Sequence, residues 1–483
     1  MQRPLAFLAA LAVLAGCTPD AAPTAPAVSR SQPPAAAAVD YAAWRAGESE
    51  PVADKLYPQR GNAGLDVLHY DLRLAWTPED KTLEGTATLR IRPVEDAPAI
   101  TLDFTGMTVD KVTVDGAAAT GTVAREKLTV PRAVTKDEPL TLVVDYHGTP
   151  RTVKMPSRRG DADEGLGLRA TKDGSLWTMQ EPWGALTWYP ANEHPSDEAL
   201  YDIAATVPKG WSAVASGTPG PVERTTFHYS SRDPVASYLV TLAAGKYRKT
   251  TAKGPHGLPL TYWTRPKTDD NLLTVLKESP EAIAFLEQRF GPYPFPTGGV
   301  VVVESESGME TQQMITLGGG DGKKWSKDIA DSHQSTLVHE YAHQWFGDAV
   351  TPTTWTDLWL NEGFAMYAQY LWEQKVFGFS DAVLEKFLRE QDAKLRKKSG
   401  PPGKPTAGYF AESNVYVCPA AMLKELNDGL GDKKFFALAT AWVQEQRNTH
   451  QDRAAFIAFV NKRTGKDFTK LINTWLDSKT TPA

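Results

Sequence analysis

Cysteine is nearly absent from this chain, with Cys17 and Cys418 the two copies in 483 residues. At most one intramolecular disulfide is possible, so the fold is not a disulfide-stapled scaffold and must rest on packing and bound groups. Runs of basic residues are also missing, and the net charge is −6. Both argue against nucleic acid as a partner. The apolar run at residues 5–14 is too short to cross a bilayer. No internal repeat occurs. What remains is ordinary for a globular protein, with 41% apolar and 23% charged residues and a length suited to two or three domains.

Arg3, the apolar run and Leu14-Ala15-Gly16-Cys17 together read as an export signal over residues 1–16. The tetrapeptide resembles a bacterial lipobox, which implies cleavage before Cys17 and lipid on its thiol and new amino group. Several acyl chains anchor stably where one does so marginally. Cys418 is then left without a partner. Residues 17–57 are expected to form an Ala/Pro-rich tether, whose stretch 18–39 is almost wholly Ala, Pro, Thr, Ser and Val. Extended, that stretch reaches on the order of 60 Å. Thr18, where an inner-membrane retention signal would place Asp, favours an outer membrane or cell surface, so the expected location is extracytoplasmic and lipid-anchored.

From about residue 60 the period is two: Leu68, Tyr70, Leu72, Leu74 and Trp76 alternate with His69, Asp71, Arg73 and Ala75. Similar alternation around residues 87–91 and 140–146, with turn signals at Asp115-Gly116 and Asp173-Gly174, predicts an all-β domain over 58–250. Helical spacing starts near Asn271 and stops before Gly291-Pro292, and helices are expected to dominate residues 251–483 apart from a strand near Val300.

The most specific pattern is His339-Glu340-Tyr341-Ala342-His343, with Glu362 following in Asn361-Glu362-Gly363. On a helix the two histidines lie one turn apart on one face and can share one ion. Glu340 points in a neighbouring direction, suited to the water at the metal rather than to the metal. A catalytic zinc keeps three protein ligands and one open position, and Glu362 supplies the third. Leu337, Val338, Tyr341, Ala342 and Trp345 give the first helix its apolar stripe, Asp331 and Ser332 are candidate caps, and Gly347 and Pro352 stop it. A second helix from about Thr356 carries Glu362.

Around this pattern the sequence resembles the aminopeptidase N and leukotriene hydrolase family of zinc peptidases, over residues 60–483. The resemblance rests on Glu181-Pro182, Trp188-Tyr189-Pro190-Ala191-Asn192-Glu193-His194-Pro195, Phe290-Gly291-Pro292-Tyr293-Pro294, Ser307-Gly308-Met309-Glu310-Thr311, the zinc pattern and Val415-Tyr416, in family order. It implies a multidomain β + α protein: a saddle-like N-terminal β-sandwich followed by a thermolysin-like, mainly α catalytic domain with one Zn2+. It further implies that Gly308, Met309 and Glu310 bind the substrate backbone and free amine, that Glu181 is a second amine contact, and that Tyr416 stabilises the oxyanion. An exopeptidase needs such carboxylates because it must recognise a charged α-ammonium; a unit charge pair at ~4 Å with an effective dielectric near ~20 interacts by about 4 kcal/mol before desolvation.

The sequence departs from the family pattern at Ser307, Thr311 and Met179, and Cys418-Pro419 replaces the usual Lys-Gly, suggesting an altered backbone there. The chain ends about 67 residues beyond Tyr416, so the large helical C-terminal domain of many members is expected to be absent and the cleft more open. The expected activity is release of N-terminal amino acids from peptides with free N-termini, with Glu340 as general base. A thermolysin-like endopeptidase and an inactive peptide-binding lipoprotein are the rival readings.

Overall fold

A computed structural model describes residues 40–158, 164–319 and 327–483. The expected signal peptide, Cys17 and the tether up to residue 39 lie outside them. The first part is built of β-sheets. Its largest sheet has eight strands, in the order Thr218–Glu223, Thr226–Ala236, Glu198–Thr206, Leu65–Thr77, Thr82–Pro93, Leu140–Gly148, Thr108–Val114 and Ala117–Ala119. The central strand follows the alternation read from sequence, with Tyr70, Leu72, Leu74 and Trp76 all buried. It pairs antiparallel with Thr82–Pro93 and parallel with Glu198–Thr206, placing Tyr70 opposite Tyr201. Their rings stack at 4.8 Å. Four- and three-stranded sheets complete this part, and their apolar faces share one continuous core.

The tether expected over 17–57 does not extend to residue 57. Residues 41–47 form a 3-10 helix, and Trp44 stacks on His69 at 5.4 Å, with the Arg90 guanidinium 4.9 Å from the centre of the indole ring. Further on, the buried Asp54 carboxylate accepts from the Tyr57 and Trp355 amides at 2.9 and 2.8 Å. Composition missed this because the few large side chains, Tyr41, Trp44 and Tyr57, find partners far along the chain. It also explains why His69, on the polar face of its strand by alternation, is buried.

The second part begins with a five-stranded mixed sheet, ordered Arg248–Lys253, Pro259–Thr264, Gly298–Val303, Ile315–Gly318 and Gly308–Met309. Only its Gly298–Val303 strand was legible as a continuous apolar run. Around it lie helices α1 (Asp270–Lys277), α2 (Ser279–Phe290), α3 (Lys327–His343), α4 (Trp359–Phe377), α5 (Asp381–Ser399), α6 (Asn414–Leu430), α7 (Asp432–Gln446), α8 (Arg453–Thr464) and α9 (Thr469–Asp477). Helix α3 begins at Lys327, ahead of the caps expected at Asp331 and Ser332. Helix α4 is buried on most faces, from Trp359 through Trp372, and packs against α3 and α6. Helix α6 runs through Pro419 without interruption, against the expectation of an altered backbone there. The mainly α second part thus holds a second core around Trp345, Phe364, Met422 and Trp442.

Candidate active site

Helix α3 sets His339 and His343 one turn apart, with ring centroids 4.7 Å from each other. Immediately beyond His343 the chain enters a π-turn, Gln344–Asp348, whose Gly347 has φ 127°. Only glycine adopts that conformation readily, and a Cβ there would also meet Asn361 Nδ2 at 3.2 Å and His343 Nδ1 at 3.3 Å. The turn rotates the Phe346 carbonyl back to accept from His343 Nδ1 at 3.0 Å. This leaves His343 Nε2 to face Glu362, on the first turn of α4.

His339 Nε2 and His343 Nε2 stand 3.1 and 3.3 Å from Glu362 Oε2. Zinc ligands at about 2.05 Å in a tetrahedral arrangement are separated by about 3.3 Å, so the spacing, the burial and the two-nitrogen, one-oxygen donor set all fit zinc. Burial tends to raise the Glu362 carboxyl, but the two imidazoles outweigh it and hold it well below the usual range. Burial lowers His339, against the pull of Glu362. It lowers His343 too, but Glu310 and Glu362 overcome that and leave it well above its ordinary value. Asp348 is pushed up by burial and by the nearby Glu310.

The remaining sequence-predicted residues converge on the same space. A cavity of about 400 Å³ is lined by both histidines, Glu362, Glu340, Tyr416, Glu181 and the Gly308-Met309-Glu310 segment. Glu340 lies against the backbone of Gly308, where an added Cβ would come within 2.4 Å of its Oε1. The Tyr416 ring, on the first turn of α6, lies nearly parallel to that of His339 at 5.9 Å. Carboxylate atoms of Glu181, Glu310 and Glu362 lie within 4.8 Å of one another, as do ligand atoms of Glu310, Glu340 and His343. Four buried glutamates thus surround one cavity, a strongly anionic setting that calls for cations. Gly308–Met309 is an edge strand, paired on one side to Ile315–Gly318.

Sequence reading did not single out Gln369, Met155, Leu166, Glu164 or Met366, which also line the cavity. The helical period could have found two of them, because Met366 and Gln369 follow Glu362 at i+4 and i+7 on α4. The Gln369 amide donates to Glu373 Oε1 at 2.8 Å. Its side chain also opposes the burial that lowers His339, whose Nδ1 has no hydrogen-bond partner among the described residues. A second cavity of about 540 Å³ adjoins the first, sharing Glu306, Ser307, Met366 and Tyr416. A larger one, about 1320 Å³, lies on the eight-stranded sheet among Arg73, Glu84 and Asp202 and includes none of the metal donors.

Two family models match the chain, the peptidase M1 N-terminal domain over residues 67–239 and the peptidase family M1 domain over 275–475. Among characterised relatives, tricorn protease-interacting factor F2 of Thermoplasma acidophilum is 26% identical over 86% of this chain and 53% of its own length. Aminopeptidase N of Streptomyces lividans is 23% identical over 86% and 50%. The chain therefore spans about half the length of the curated relatives it matches. Among solved structures, an M1 zinc metallopeptidase from Deinococcus radiodurans superposes with a TM-score of 0.78 at 27% identity, covering 90% of this chain and 98% of that one. Leukotriene A4 hydrolase from Saccharomyces cerevisiae shares the fold, with a TM-score of 0.70 at 19% identity, over 87% of this chain and 69% of the other.

Proposed function

The chain belongs to the peptidase M1 family, and on that premise we propose that it is a zinc aminopeptidase releasing amino acids one at a time from the free N-termini of peptides. The observation that carries this reading is the presence, in one cavity, of two distinct sets of buried groups: the His339, His343 and Glu362 donors, and the Glu310 and Glu181 carboxylates beside them. Zinc held by the three donors would supply Lewis acidity to a carbonyl and to water.

The protein side of the reaction follows from the placement of its groups. Glu310 and Glu181 hold the α-ammonium, and the open edge of Gly308–Met309 offers backbone groups to an extended substrate. The first peptide bond is thereby fixed beside the donors. Glu340 takes a proton from the attacking water and returns it to the departing amine. The Tyr416 hydroxyl donates to the oxygen that gains charge, a contribution of typically a few kcal/mol. A thermolysin-like endopeptidase would have no use for carboxylates reserved for an amine, and an inactive peptide binder would have none for Glu340.

Comparing an aminoacyl amide with its N-acetylated form tests the assignment: the free amine should react at least ~100-fold faster, and equal rates overturn it. Glu340→Gln should bind zinc stoichiometrically, by elemental analysis, yet lose activity by ~1000-fold or more; substantial turnover would mean that another group is the base.

The location is likewise our proposal. Leu14-Ala15-Gly16-Cys17 supports lipid attachment at Cys17 and a place on the outer side of a bacterial membrane. Among the described residues no helix is long and apolar enough to cross a membrane. Cys17→Ser should move the protein from the membrane to the soluble fraction; an unchanged distribution argues against the anchor.

A further inference from the structure

Nineteen residues line the cavity around the metal donors, and four of them, Met155, Met179, Met309 and Met366, are methionines out of eight in the whole chain. Half of the thioethers therefore face one space. The adjoining cavity divides them. Met366 lines both spaces, together with Tyr416, whereas Met155, Met179 and Leu166 line only the first, alongside Glu181. Met179 ends the Leu176–Met179 strand just ahead of Glu181, and Met309 immediately precedes Glu310. A peptide whose ammonium sits at Glu181 and Glu310 and whose first carbonyl lies at the donors must send its first side chain onto that wall. The rest of the peptide leaves past Tyr416 into the shared space.

We propose that Met155, Leu166 and Met179 form the pocket for the first substrate residue, and that it selects large apolar side chains, methionine, leucine and phenylalanine above others. This rests on the aminopeptidase reading. Met155 and Met179 are only 4% and 9% exposed, so the wall is packed from behind. Unbranched thioethers adapt to apolar shapes of different outline and make favourable contacts with aromatic rings. An acidic side chain would meet Glu164, Glu181 and Glu310 together. A basic one keeps an attraction to Glu164, which stays charged while accepting from Ser305 Oγ at 2.7 Å and the Glu306 amide at 3.0 Å, but it gains nothing from the thioether wall and must shed water to reach it. Alanine leaves the wall unfilled, and each buried methylene is worth about a factor of four.

The test is a panel of fluorogenic aminoacyl amides and their N-acetylated forms, given to the full-length zinc-loaded protein. The expected kcat/KM for Leu, Met and Phe exceeds that for Ala by ~30-fold or more, and exceeds those for Arg and Glu as well. In Met179→Gln, which keeps the length of the side chain but makes it polar, the Leu-to-Ala ratio should fall by ~10-fold with zinc content unchanged. If free amines are cleaved but Ala keeps pace with Leu, or Arg or Glu is fastest, the pocket assignment is wrong while the aminopeptidase survives. An unchanged ratio in Met179→Gln also overturns it. Acetylated amides reacting as fast as free ones would remove both readings together.

Discussion

Gly308 and Glu340 touch more closely than any side chain at position 308 would permit, since a Cβ there would lie 2.4 Å from Glu340 Oε1 and 2.9 Å from its Cδ. The carboxylate is the mobile partner, so Gly308→Ala should fold but displace the base, lowering kcat by ~100-fold without loss of zinc; steady-state kinetics with elemental analysis measures both. Gln369 acts at one remove. A metal-bound imidazole is oriented through its second nitrogen, and His343 already has the Phe346 carbonyl for this. His339 Nδ1 has no hydrogen-bond partner among the described residues, and Gln369, which lines the same cavity and opposes the fall in His339 basicity, is the neighbour suited to supply one. Gln369→Leu should therefore weaken zinc binding by ~10- to 100-fold in a chelator competition, and Gln369→Glu should restore it. Both residues stand outside the His339–His343 pattern; the resemblance marked Gly308 as a substrate contact but not as a neighbour of Glu340, and Gln369 becomes visible only once Glu362 is placed on a helix face.

At the scale of elements, the site depends on how closely α4 approaches α6. Gly363 sits where a Cβ would come within 2.5 Å of Pro419 Cβ, a rigid ring within α6. Neither partner can swing away. Gly363→Ala should therefore force the helices apart, at about 1–3 kcal/mol of stability, and draw the adjacent Glu362 away from the histidines; a lowered Tm together with weaker zinc retention is the expected result. The break after α3 is a second such device. Gly347 stops the helix as the sequence suggests, but the π-turn that it permits aims the Phe346 carbonyl at His343 and leaves at position 347 only the room that Asn361 on α4 allows, since a Cβ there would meet it at 3.2 Å. Strand alternation was legible where one face meets solvent, and failed at His69, where residues 41–47 cover the outer face.

Across the whole molecule, the β-rich part and the metal-bearing part meet in polar contacts between buried groups. Glu198, in the central sheet, accepts from Thr351 Oγ1 at 2.9 Å, next to the π-turn. Burial pushes its carboxyl from an ordinary 4.5 up to about 8, with the Thr351 hydrogen bond opposing. A carboxyl that holds its proton more tightly when folded stabilises the fold fully below its unfolded pKa, and that contribution is lost as pH rises through the folded value. Between pH 4.5 and 8 the wild-type protein should therefore lose up to roughly 5 kcal/mol from this residue. Glu198→Gln, which stays neutral throughout, should flatten the fall of Tm over that interval; an identical pH dependence in the two proteins would show that Glu198 titrates normally.

The sequence by itself determined the zinc-peptidase pattern of His339, Glu340, His343 and Glu362, and the order of a β-rich part before a helical one. Those follow from residue type and from the periods of strand and helix, which are local properties of the chain, whereas the amine-binding reading of Glu181 and Glu310 came from the family resemblance alone. Only the tertiary structure decided that residues 41–57 pack rather than trail, that Gly308 and Gly363 are required by close approach, and that half of the methionines face one cavity. Each of these depends on side chains brought together from distant positions, and no local period encodes such a distance.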